Sequence, residues 1–420
     1  MKILYVSQYF PPEMGAPAAR VAELARYWAN DGHEVTVLTG FPNHPTGVVP
    51  TEYRSKLRRL VMREKVCGVN VVRTWLFPFP NRKAHERMLN YSSFFASAST
   101  TGMFVSRPDV LIATSPQLLV GLSGWWLAHT KRVPFVFEVR DLWPESLAAV
   151  GIGNPDSMMN RSLGSIAGFL YKHADQIVVV TSAFEEYLIQ NWGVVPEKIS
   201  VVENGVETDL FSPKVVNPDL RKNLGAEGKF VVGYIGTMGM AHGLEVLVQA
   251  ATELQRIAPD VLFLMVGEGA DKERVMNLAR GLTNMRFVSQ QPREKIPEFI
   301  SISDACLVLL KKTELFKTVI PTKMLEFMSC MRPVILGVDG QAKKIMDHAG
   351  AGVYVEPENA TALIQVIQRL AANPSLREIL GRNGRRHVVE HFSRQQTAKT
   401  YVAVLEKILD RKDQRSREAA

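Results

Sequence analysis

Cysteine is scarce in this chain of 420 residues: Cys67, Cys306 and Cys330 stand alone and far apart. Their spacing fits neither a disulfide framework nor a zinc site, so a reducing compartment and structural thiols are expected. Long apolar runs are lacking too. Met88 to Ser106 is diluted by Ser and Thr, and Val110 to Thr130 contains Pro116 and reads as strand, turn and helix, so neither is expected to span a bilayer. The N-terminus opens on a strand, Lys2 to Ser7, in place of a charged leader and apolar core, and export by that route is not expected. The dinucleotide fingerprint G-x-G-x-x-G is missing, which disfavours a nicotinamide cofactor. An Arg-rich recognition helix and an RNA-binding aromatic signature are missing as well, so nucleic acid is not an expected partner. No set of metal ligands stands out, and no metal is expected.

What is present fits two cores. The length suits two domains of about 200 residues each, and 46% of the residues are hydrophobic. Lys and Arg outnumber Asp and Glu by 50 to 42, a formal charge of +8, which suits a phosphorylated ligand or an anionic membrane face. Short β-rich runs alternate with helical segments: Ile3 to Ser7, Glu34 to Thr39, Asn70 to Thr74, Val110 to Ala113, Phe135 to Val139, Ile177 to Thr181 and Ile199 to Val202. The pattern restarts at Phe230 to Gly236 and continues with Val261 to Val266, Met285 to Val288, Cys306 to Leu309, Pro333 to Leu336 and Gly352 to Val355. This predicts two doubly wound, parallel α/β halves. The expected division is 1–203, a hinge at 204–228, a second domain at 229–390, and a helical tail at 391–420 interrupted near Phe392-Ser393. Ligands in such sheets sit beyond the carboxyl ends of strands, so the cleft between the halves is the expected site.

The stretch Val319 to Val334 is the most informative. Pro321 favours a helix opening and Thr322 is expected to cap it, so the free N–H groups and dipole of the first turn can hold a diphosphate beside Lys323. Glu326, three residues on, shares a face with Lys323 and can accept hydroxyls of an adjoining ribose. The plain alternative is an ion pair on a solvated helix face; the Pro-Thr start and the neighbouring loops favour the ligand.

Other loops after strands carry possible chemistry. Gly15, in the loop that opens the helix Val21 to Asn30, allows close backbone approach and is expected at the donor, with the helix start beyond it facing a phosphate or an acceptor; the alternative is a plain strand-to-helix turn. The loop Gly236-Thr237-Met-Gly239 to Gly243 suits a diphosphate cradle, with His242 a ligand contact or a cap. In Phe137 to Glu145, a strand ends in Arg140, Asp141, Trp143 and Glu145, which either position a sugar and an acceptor or form an internal ion pair with Trp143 as filling. Val266-Gly267-Glu268-Gly-Ala270 and Val288 to Pro292, with Gln290, complete a nucleotide pocket or are simple turns.

With these residues in view, the whole chain resembles the glycosyltransferase family 4 enzymes of GT-B fold. The resemblance rests on Ile3 to Pro12, Gly32 to Val37, Glu203-Asn-Gly-Val206, Val266 to Gly269 and Pro321 to Glu326. Arg140 to Glu145 and Pro321 to Lys323 look most like bacterial transferases of O-antigen, lipopolysaccharide or capsule assembly, including those that use N-acetylated amino sugars such as fucosamine. The resemblance implies two Rossmann-like domains facing a cleft, and a UDP- or GDP-sugar donor. It also implies a glycan or lipid-linked acceptor, retention of configuration, a cytoplasmic setting and no cofactor beyond the donor itself. The chain departs from the family at three places. The first of the usual paired carboxylates, eight positions apart, is Thr318, with Glu314 the nearest replacement. The usual phosphate-holding cations fall on Thr237 and His242, which makes Lys323 the leading substitute, and the usual His-Asp is Arg140-Asp141. Asp141, Arg140 and Lys323 are the expected catalytic group. The rival readings are an epimerase or inverting transferase, and a noncatalytic hinged binding protein.

A weak contact with anionic membrane is also expected. Arg54, Lys56, Arg58, Arg59, Arg63 and Lys65 precede Trp75 to Phe79, and Arg82, Lys83 and Arg87 flank Tyr91, Phe94 and Phe95. The competing reading is a charged solvated loop followed by a core helix.

Overall fold

A computed structural model of the chain describes residues 1–44, 47–79, 84–146 and 157–418. Arg82 and Lys83 lie outside the described residues. The chain forms two compact units, Met1–Glu203 with Gln395–Ala420, and Asn204–Arg394.

The first unit holds eight strands: β1 (Lys2–Val6), β2 (Glu34–Gly40), β3 (Val61–Val66), β4 (Val69–Thr74), β5 (Val110–Thr114), β6 (Phe135–Val139), β7 (Gln176–Val179) and β8 (Ile199–Val201). Their order is β3-β4-β2-β1-β5-β6-β7-β8. The strands β5, β6 and β7 are buried throughout, as apolar strands with helices on both faces require. One element was not expected, and it alters the competing reading of a charged solvated loop. After Arg54 to Arg59 the chain enters β3, which pairs antiparallel with β4. Cys67 and Gly68, with φ of 48° and 85°, supply the two positive-φ positions that a tight hairpin needs. Arg63 and Lys65 then point outward from an edge strand, where charge discourages further pairing.

The helix Arg394–Glu418 belongs to this unit through its packing. Trp28 Nε1 donates to the Ala398 carbonyl (3.1 Å), the Tyr401 ring meets Trp28 edge-on, and Leu405 and Ile408 join the core. Beneath it, Glu138 on β6 is fully buried but satisfied by Arg20 Nε (3.0 Å) and Tyr5 Oη (2.5 Å).

The second unit holds β9 (Phe230–Ile235), β10 (Val261–Val266), β11 (Met285–Val288), β12 (Ala305–Leu309), β13 (Val334–Gly337) and β14 (Gly352–Tyr354), in the order β11-β10-β9-β12-β13-β14, with parallel pairing at each junction. The order reverses between β9 and β12, where a doubly wound sheet opens a crevice at its carboxyl edge. The segment expected as the hinge lies in this unit. Val206 bonds the main chain of Phe392 and Arg394, and the carbonyl of the buried Phe211 accepts from Ser329 Oγ and Arg385 Nη1.

Candidate active site

The loop after β9 begins at Gly236, whose φ of 141° suits glycine. Behind it the buried Tyr234 donates its hydroxyl to the Thr237 carbonyl (2.6 Å), which fixes the loop's path. Gly267 and Gly269 press against this loop: a Cβ would lie 2.1 Å from Gly236 O at the first and 2.2 Å from Met238 O at the second. These glycines therefore support the cradle from below. The Glu268 carboxylate, expected at the donor, pairs with Lys272 at 2.7 Å.

The helix Thr322–Ser329 starts at the β9/β12 crevice. Thr322 is its first residue and does not cap it; Pro321 precedes it in extended conformation and gives no side-chain cap bond. An uncapped start suits an anion. Lys323 Nζ lies 4.1 Å from the centre of the Tyr234 ring and is enclosed without a hydrogen-bond partner among the described residues, although the residue as a whole is partly exposed. A Cβ on Gly236 would be 3.5 Å from that nitrogen. Burial pulls the amine down to about 7, against the opposing effect of Glu326. An enclosed amine without a hydrogen-bond partner is costly, and a phosphate oxygen at the loop would relieve it.

The solvated Lys323–Glu326 pair is not what forms. Glu326 bonds Arg293 Nη1 at 3.0 Å, and that guanidinium lies over the Phe211 ring. Neither cap nor surface residue, His242 is held by the Leu309 carbonyl at the end of β12, 3.0 Å from Nδ1. Burial first, and then the charge of Lys323, lower it to about 3. Gly239 sits against its ring. Gln290 lies half-buried in the turn between β11 and Arg293. Glu314, the replacement expected for the missing carboxylate, has a side chain that is 89% exposed and pairs with Lys317, while Thr318 bonds the Leu315 carbonyl.

In the first unit, Arg140 donates to the carbonyls of Ala16 and Pro17 (3.1 and 3.3 Å), holding the helix start that exposed Gly15 opens. Ser115 Oγ receives the N–H groups of Arg140 and Asp141. The Asp141 carboxyl accepts from Ser146 and Trp143, and burial raises its pKa against those bonds. Glu145 accepts from Tyr187 Oη through Oε1 (3.1 Å), whereas its Oε2 is enclosed and has no partner among the described residues. Thus Gly15 joins Arg140, Asp141, Trp143 and Glu145 in one unit, and Gly236, Thr237, Gly239, His242, Lys323 and Glu326 gather in the other. Sequence reasoning missed Tyr234 and Arg293, because an aromatic inside an apolar strand and one Arg after a turn carry no local mark. Among the described residues, no group of three His, Cys, Asp or Glu is placed to hold a metal.

Residues 15–205 match the Glycosyl transferase 4-like domain, and residues 216–387 match the Glycosyl transferases group 1 family. The chain belongs to the glycosyltransferases of GT-B fold. A protein of Escherichia coli K12 described as "Putative colanic acid biosynthesis glycosyl transferase WcaI" is 26% identical over 89% of this chain and 93% of its own. Sucrose-phosphate synthase from Thermosynechococcus elongatus superposes with a TM-score of 0.77 at 20% identity, covering 97% of this chain and 99% of that one. HepE of Anabaena, solved with UDP-glucose, gives 0.71 at 18% identity over 97% and 100%. This glycosyltransferase therefore carries its uncapped helix and Gly236 loop on a GT-B scaffold.

Proposed function

We propose that this glycosyltransferase moves a sugar, of the N-acetylated amino-sugar class, from a UDP- or GDP-type donor to a glycan or lipid-linked acceptor in bacterial surface-polysaccharide assembly, with retention of configuration. The observation that carries the donor half is the enclosed, unpartnered Lys323 amine beside the Gly236 loop and an uncapped helix start. The described activity of WcaI and the UDP-glucose bound to HepE support the polysaccharide and nucleotide parts.

In the reaction, charge develops on the departing nucleoside diphosphate and on the sugar ring. Lys323 and the N–H groups of the first helical turn are aimed at the leaving phosphate, so they act most strongly as its charge grows. No metal is proposed for that task. Glu326 would take the ribose hydroxyls. Asp141 already accepts from Ser146 and Trp143, which suits orienting an acceptor hydroxyl more than seizing its proton. Glu145, with one unpartnered carboxylate oxygen, and Trp143 would hold the acceptor.

Contact with the cytoplasmic membrane face is part of the proposal. Arg54, Lys56, Arg58 and Arg59 are exposed, Phe77 is 45% exposed, and Met88 and Leu89 lie open on the following helix. No described helix is long and apolar enough to cross a membrane.

A donor screen with mass-spectrometric product detection tests this reading. Nucleoside diphosphate release should need both an amino-sugar donor and a glycan or lipid-linked acceptor. Release from no UDP- or GDP-sugar with any such acceptor would sink it.

A further inference from the structure

Arg293 stands between two groups that the proposed donor site would depend on. It follows the Gln290 turn, and its Nη1 donates to Glu326 Oε1 at 3.0 Å, with side chains 28% and 13% exposed. Its guanidinium carbon sits 4.8 Å from the centre of the Phe211 ring, which is fully buried. Phe211 is itself fastened: its carbonyl takes hydrogen bonds from Ser329 Oγ and Arg385 Nη1, and Arg385 also bonds the Thr208 carbonyl and Ser329. Ser329 ends the same helix that bears Lys323 and Glu326. A planar cation held over an aromatic face and bonded to a carboxylate has little freedom left.

We infer that Arg293 is a positioning residue for nucleotide binding, holding the Glu326 carboxylate where a ribose diol meets it and tying that carboxylate through Phe211 to the 204–213 segment. The inference rests on the ribose role proposed for Glu326. The bond engages one carboxylate oxygen of Glu326, so the pair presents a carboxylate of defined orientation. Without Arg293 the carboxylate is free to turn, and orientation of the ribose contact is lost while the phosphate grip at Lys323 stays.

The test is calorimetric titration of UDP, GDP and inorganic pyrophosphate into the full chain and its folded variants. For the preferred nucleotide, Arg293→Ala should weaken binding by about tenfold, the size of one charge-assisted hydrogen bond. Pyrophosphate, which has no ribose, should bind as to the wild type. Arg293→Lys, which keeps charge but not the fork, should recover only part of the loss. Phe211→Leu should weaken the nucleotide in the same sense. Combined with Glu326→Ala, the Arg293 change should add nothing further, because it acts through that carboxylate. Unchanged nucleotide affinity in Arg293→Ala, equal weakening of pyrophosphate, or full additivity with Glu326→Ala would each overturn the inference while leaving the ribose role standing. Unchanged affinity in Glu326→Ala itself would instead remove the ribose role, and the inference with it.

Discussion

His242 Nδ1 and the Leu309 carbonyl oxygen lie 3.0 Å apart, joining the loop after β9 to the end of β12 at the point where the strand order reverses. A carbonyl only accepts, so Nδ1 carries the proton and Nε2 keeps its lone pair. The ring is therefore a neutral strut in the cradle. Its charged form is opposed by burial and by the charge of Lys323.

The acid response follows from that strut. His242 is lowered to about 3 in the folded protein against 6.5 for the ordinary group. Between those values the unfolded chain binds the extra proton, so this histidine's contribution makes stability rise with pH from about 3 to 6.5 and fall on acidification. Urea unfolding at pH 4.5 and 7 should show a smaller difference for His242→Asn than for the wild type, by an amount on the order of 1 kcal/mol or more. An identical pH difference in both proteins would show that the ring is not held neutral.

Lys323 titrates in the opposite range. It is lowered to about 7 from 10.5, so the unfolded chain binds more protons between those values and stability from this group rises with pH across that window. Lys323→Met should be at least as stable as the wild type at neutral pH and lack that rise. A bound diphosphate should restore the ammonium, so UDP or GDP binding at pH 8 should take up protons, read as enthalpies that differ between Tris and phosphate buffers. In Lys323→Met the uptake should vanish, and turnover should drop more than donor binding. Equal enthalpies in both buffers for the wild type would place the phosphate elsewhere.

Gly267→Ala tests the support beneath the cradle. Its φ of 142° and the 2.1 Å approach of a Cβ to Gly236 O leave no room without moving one loop or the other. A loss of about 1–3 kcal/mol in unfolding free energy is expected, with weaker nucleoside diphosphate binding. Gly281→Ala, with positive φ but open space around it, should spare the nucleotide. Equal nucleotide affinity in both variants and the wild type would separate the glycine contact from the site.

Vesicle co-sedimentation tests the membrane contact. Recovery should require anionic lipid, fade with salt and fall when Arg54, Lys56, Arg58 and Arg59 are neutralised, since each basic group near such a surface is worth about 1 kcal/mol. Equal recovery with neutral and anionic vesicles, or none at low salt, would count against it.

Much of the scaffold was legible because parallel strands buried on both faces must be continuously apolar. Runs such as Val261 to Val266 and Cys306 to Leu309 are too short for a core helix and too apolar for a strand with one wet face. The hairpin strand β3 escaped notice because Arg63 and Lys65 on an edge strand look like any charged loop until Cys67 and Gly68 are seen to turn the chain. Within the site, Lys323 and Glu326 were visible as a pair, but their partners were not. The i, i+3 spacing pointed each toward the other, whereas Tyr234 and Arg293, from distant strands and turns, engage them instead.

The succession of strands along the chain, the glycine-rich turns and the helix opening at Pro321-Thr322 were set by local sequence, because backbone preference and apolar periodicity act over a few residues. Tertiary structure alone decided which charges were paired and which were left enclosed. Burial and partner distance set the cost and ionisation of a charged group, and both depend on residues brought from elsewhere in the chain. Glu326 meets Arg293 from 33 positions away, His242 meets Leu309 from 67, and the Lys323 amine is enclosed over the Tyr234 ring with no hydrogen-bond partner.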